Sequence, residues 1–162
     1  MSSYLTFWVK NKKGNITPLA SFSRSTEIYQ KARELGLSGS RDHCEDILDT
    51  TYATPYTTDD SIKLISLLES SVNARASSIK TVQDNIYLAL TTSNSLEDKM
   101  EYVNDCRLDI EELQEDIETY KCYINYLNFI EIIREEQDNY DNTKDTILVG
   151  IDAVVEGEEN VE

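Results

Sequence analysis

The chain predicts an α+β fold, mostly α with a small β part. A long antiparallel helical hairpin of coiled-coil character stands on a small head, made of an N-terminal β-hairpin, a short helix and a C-terminal strand. Three observations predict it. The residues Val103, Cys106, Ile110, Leu113, Ile117, Tyr120, Ile124 and Leu127 follow one another in alternating steps of three and four, which places them on one narrow helical face. The preceding stretch repeats the pattern with Ile65, Leu68, Val72, Ile79, Val82 and Ile86, broken only by Arg75. Short β-branched and aromatic runs flank this helical region on both sides.

The elements follow in order. Residues 4–10, Tyr-Leu-Thr-Phe-Trp-Val-Lys, read as a strand. Asn11 to Asn15 is a turn, with Gly14 where positive φ is needed. Residues 16–22 return as a second strand, which Pro18 confines to a sheet edge. Ser23 or Ser25 caps a short helix to Leu35 with Ile28, Ala32 and Leu35 inward, and Gly36 stops it. Residues 42–48 read as one or two helical turns, and the threonines around Pro55 as a loop. Thr57 or Thr58 caps the first long helix, with Asp59 and Asp60 in its first turn, where the helix dipole favours negative charge. Thr91 to Asn94 is a short connection, which forces the two helices antiparallel. Ser95 followed by Asp98 resembles a capping box and opens the second helix, which runs to Asp138. Thr146 to Asp152 is apolar and β-branched, a third strand able to pair with the N-terminal hairpin. In domain terms, residues 1–57 with 139–155 make the head, 58–138 the helical hairpin, and 156–162 an acidic disordered tail.

The formal net charge is −16. Residues 95–138 carry fourteen acidic and four basic side chains and residues 139–162 seven and one, whereas residues 1–94 are neutral overall. Such a chain repels nucleic acid and anionic membranes and attracts basic proteins. No direct nucleic-acid or membrane partner is expected, and no stretch approaches the ~20 apolar residues of a membrane span. Three cysteines, Cys44, Cys106 and Cys122, and a start without a secretory leader point to a reducing, cytoplasmic setting.

The chemistry-bearing patterns are weak. Asp42-His43-Cys44-Glu45-Asp46 gathers metal-type ligands, but at adjacent positions and with no second pair, which is wrong for zinc. Leu35 to Ser40 holds two glycines near a helix end without the spacing of a phosphate loop. The carboxylates of the second helix stand on a solvated face, where nothing separates their pKa values as acid–base catalysis requires. The chain is therefore read as a non-enzyme without metal or cofactor.

Three surfaces remain. Asp105, Asp109, Glu112 and Asp116 form a carboxylate row at helical-turn spacing. Its repeat of ~5.4 Å roughly imitates the charge array of duplex DNA. Tyr126, Phe129, Ile130 and Ile133 overflow the two-helix seam, so they are covered by the head, by a second copy or by a partner. Lys10, Lys12 and Lys13 with Trp8 form a small basic and aromatic patch, a weak candidate for a phosphate-bearing ligand.

The compact acidic composition, rich in Asn, Asp, Ser and Tyr without a catalytic signature, resembles that of bacteriophage accessory proteins. That resemblance implies the cytoplasm of an infected bacterial host. The leading expectation is an acidic interaction module, an inhibitor and nucleic-acid mimic that blocks a basic groove of a partner protein. The alternatives are an oligomeric coiled-coil scaffold, associating through the overflow residues, and a small-nucleotide sponge using the lysine patch.

Overall fold

The computed structural model describes residues 2–11, 13–37, 45–48, 51–92, 94–140 and 146–154. Its elements are β1 (Ser2–Lys10), β2 (Ile16–Ser23), α1 (Glu27–Glu34), β3 (Glu45–Leu48), β4 (Thr51–Pro55), α2 (Thr58–Leu90), α3 (Leu96–Tyr140) and β5 (Thr146–Val154). The fold is α+β, with a five-stranded sheet in the order β2-β1-β5-β4-β3 and antiparallel pairing throughout. The C-terminal strand pairs along the whole of β1, from Ser2 opposite Val154 to Lys10 opposite Thr146.

Local chemistry explains the element ends. Gly14 takes φ 87° in the first turn and Gly36 takes φ 76° behind α1, conformations that cost other residues a Cβ clash. Thr26, rather than Ser23 or Ser25, caps α1: its hydroxyl accepts from the Tyr29 amide at 3.3 Å. At the start of α2 the capping is reciprocal. Thr57 Oγ1 accepts from the Asp60 amide and Asp60 Oδ2 accepts from the Thr57 amide, both at 3.1 Å. Ser95 Oγ accepts from the Asp98 amide at 3.2 Å, so the expected cap of α3 is in place. Pro18 lies on β2, an edge strand, opposite Trp8, and the register shift between Phe7 and Trp8 leaves Leu19 as the extra residue of a β-bulge.

The expected helical turns are corrected over residues 45–48, and the expected loop over residues 51–55. Glu45–Leu48 and Thr51–Pro55 are strands that pair with each other, and Thr54 and Pro55 pair with Val149 and Leu148 of β5. The Tyr56 amide continues the ladder by donating to the Ile147 carbonyl at 2.7 Å. Thr51, Tyr52 and Thr54 are strong strand formers, and the buried β5 beside them supplies the partner that a local reading lacks. Residues 42–44 and the acidic tail 156–162 lie outside the described residues.

The chain divides into two compact units. One comprises Met1–Leu67 with Asn125–Glu162, and the other Leu68–Ile124. In the first, the sheet is apolar on both faces. Leu5, Phe7 and Val149 share one face, where Phe7 meets Tyr56 at 5.1 Å and Tyr126 at 6.1 Å between ring centroids, both edge-on. Leu64, Leu127 and Ile130 of the long helices are buried in this unit, as are Ile28, Tyr29 and Ala32 of α1. On the opposite face Trp8 packs with Ala53, Leu148 and Ile16.

In the second unit α2 and α3 run antiparallel. Lys99 Nζ donates to the Leu90 carbonyl, and further along Arg75 reaches Asp116 and Tyr120. Every expected seam residue of this unit, from Leu68 to Ile86 and from Val103 to Ile124, is buried or half-buried. Two helices alone cannot bury a seam completely, so most of these stay half-exposed.

Candidate functional site

The carboxylate row lies wholly in the second unit. Asp105, Asp109 and Glu112 are exposed, and Asp116 is half-exposed. Asp109, Glu112 and Asp116, with Glu115, line one open groove of about 520 Å³ whose apolar floor is Val82 and Leu113. Four carboxylates over two helical turns give that groove a strongly negative field. Asp105 continues the same row one turn earlier.

One member of the row is not free. Asp116 Oδ2 accepts from Arg75 Nε at 3.3 Å, and Arg75 Nη2 donates to the Tyr120 hydroxyl at 3.4 Å. The guanidinium also lies over the Tyr120 ring, 5.7 Å from its centroid, and Tyr120 stacks on Tyr123 at 6.3 Å. The break in the first seam thus carries the cation that half-neutralises one end of the acidic row. Both partners are more than a third exposed on their side chains, so the pair contributes at most about 1 kcal/mol. Arg75→Leu is expected to leave the thermal midpoint unchanged or slightly raised, because leucine continues the apolar seam as Asp116 becomes unpaired. A calorimetric scan checks this; a drop of more than about 1 kcal/mol would show the ion pair to be structural.

The overflow residues are divided. Ile130 is fully buried and Tyr126 packs its ring against Phe7 and Phe22, at 6.1 and 5.7 Å, within their own unit. Ile133 is half-buried, and only Phe129 is exposed, at 54%. The expected self-interface is corrected accordingly: two of its four residues belong to the core under the sheet, because α3 lays that face against Phe7 and Phe22. Beside them Arg134 donates from Nη2 to the Tyr56 carbonyl at 2.9 Å and from Nε to Glu131, whose carboxylate also accepts from Thr58 Oγ1. The Tyr56 hydroxyl, bonded to Ser61 Oγ at 2.7 Å, is buried.

The lysine patch loses its aromatic member. Trp8 is only 5% exposed and belongs to the core cluster with Ala53 and Leu148. The alternation along β1 puts it on the side opposite Phe7, and that face is buried too. Lys10 is half-exposed and Lys13 exposed; Lys12 lies outside the described residues.

A further surface lies near the turn between α2 and α3. Tyr87, Leu88, Leu90, Leu96, Met100 and Tyr102 are all large, apolar or aromatic, and exposed. The signal was present in the leucines that continue outside the seam on both sides of Thr91. Among the described residues no group of three or more His, Cys, Asp and Glu is placed to hold a metal ion. Nor is any helix among them long and apolar enough to cross a membrane. No family model, curated protein or solved structure matches the chain.

Proposed function

We propose that this chain is a non-enzymatic, acidic protein-interaction module that occupies a basic, nucleic-acid-binding groove of a partner protein. One observation supports this reading above the others: Asp109, Glu112 and Asp116 line a single groove with Glu115, on the same row as exposed Asp105. The turn-by-turn spacing of ~5.4 Å presents charge to a partner much as a phosphate backbone does. The apolar floor at Val82 and Leu113 adds a place for the aliphatic stems of arginine or lysine.

The test is displacement of fluorescent duplex DNA from basic DNA-binding proteins of a bacterial host, followed by anisotropy at low and high salt. Displacement is expected to weaken steeply with salt. Reversing charge at Asp105, Asp109, Glu112 and Asp116 together is expected to reduce it at least about a hundredfold. Displacement that survives both changes overturns the reading. An oligomeric scaffold is the second reading, favoured by the exposed apolar side chains around the α2–α3 turn.

A further inference from the structure

We propose that a second copy of this chain docks on the flank of the helical hairpin formed by Tyr87, Leu90, Leu96 and Met100. The inference does not depend on the acidic groove and is tested separately from it.

The four residues are 69%, 54%, 73% and 59% exposed. Leu90, Leu96 and Met100 line one groove of about 230 Å³ with Lys99, Val103 and Asn104. Tyr87 stands one turn before Leu90 on the same side of α2. With about 200 Å² for a fully exposed side chain of this size, these four alone offer on the order of 500 Å². That is most of the ~800 Å² per partner in a stable interface of standard size. The groove and its bordering side chains supply both knob and hole, as a two-fold contact between identical patches needs.

Charge selects the occupant. From Leu96 to Asp105 is nine residues, roughly two and a half turns, so the apolar row faces away from the acidic row on α3. The next residues on the apolar side are Arg107 and Glu111, which cancel. A basic partner gains nothing on this flank, where the one charged side chain lining the groove is the cation Lys99. A second copy seated there keeps the two acidic rows turned outwards. The remaining cost is the long-range repulsion of two chains of net charge −16, which salt screens. Self-association therefore tightens as salt rises, the opposite of docking at the acidic groove.

The experiment is sedimentation velocity on the full chain over a concentration series, near 0.05 M and near 0.5 M salt. The expected result is a dimer whose dissociation constant falls several-fold at the higher salt. Leu96→Asp with Met100→Asp is expected to raise that constant at least about tenfold with the circular dichroism spectrum unchanged, both positions being solvent-exposed. Leu108→Asp, at a residue 55% exposed but off this flank, is expected to leave the dimer intact. A monomer under all conditions overturns the proposal. So does a dimer that survives the double substitution, or one equally weakened by Leu108→Asp. Flotation of monomeric protein with phosphatidylcholine vesicles, lost in the double variant, would assign the flank to lipid and overturn it as well.

Discussion

Replacing Ile130 by alanine is expected to destabilise the sheet-containing unit by about 2–5 kcal/mol, whereas Phe129→Ala changes its stability by less than about 1 kcal/mol. The two residues are neighbours on α3 and similar in hydrophobicity, yet they differ in environment. Ile130 is fully buried in the unit that holds Phe7, Tyr56, Leu64 and Leu127, and Phe129 stands 54% exposed. Deleting the buried Ile130 side chain removes transfer energy and leaves a cavity in a packed core; deleting the exposed Phe129 ring removes less transfer energy and encloses no cavity. Urea denaturation resolves the difference, and Trp8, the sole tryptophan, reports from inside the same unit. Equal costs at the two positions would mean that α3 does not pack as described.

The second large effect lies on the alkaline side. Burial pushes the Tyr56 hydroxyl well above its ordinary value of 10.0, reinforced by Glu131 and Asp60 and opposed by its hydrogen bond to Ser61 and by Arg134. Burial raises Tyr126 in the same direction. Above pH 10 the unfolded chain gives up these protons while the folded chain keeps them. The native state then binds more protons than the unfolded one, so stability falls as pH rises. It is fully present below the ordinary tyrosine value and is lost progressively above it. The urea midpoint is expected to stay level up to about pH 9 and then to drop steeply. Tyr56→Phe gives up the Ser61 bond, about 1 kcal/mol at neutral pH, but flattens the alkaline drop. A variant with the same alkaline slope as the parent would rule out Tyr56 as its source.

What the sequence made legible was whatever repeats or caps. The two seams were readable because alternating steps of three and four have a single geometric meaning. The ends of α2 and α3 were readable because Thr57 and Ser95 pair with aspartates three residues on. The strand at 146–152 was readable from its β-branched run. The strands β3 and β4 were not: they are only four and five residues long, and the strand that holds β4, with β3 beyond it, lies some ninety residues away. Trp8 looked like a surface aromatic beside lysines because alternation assigns one strand face to water, and here both faces of β1 are buried. The acidic row was plain in the sequence, but the tie between Asp116 and Arg75 depended on the register of two helices. The exposed flank at Leu90, Leu96 and Met100 escaped notice because leucine in a helix suggests a core, and only the packing shows that none covers it.

The sheet order has a kinetic consequence. β5 follows every other described element in the chain, yet it sits in the middle, between β1 and β4. Until it arrives the hairpin of β1 and β2 and that of β3 and β4 have no strand between them to join. The helices, by contrast, form from contacts close in sequence and are quick to assemble. The expected order of events is therefore helices first and the completed sheet last. A nascent chain emerging from the ribosome is expected to keep the two hairpins unjoined, with their inner edges open, until β5 is released.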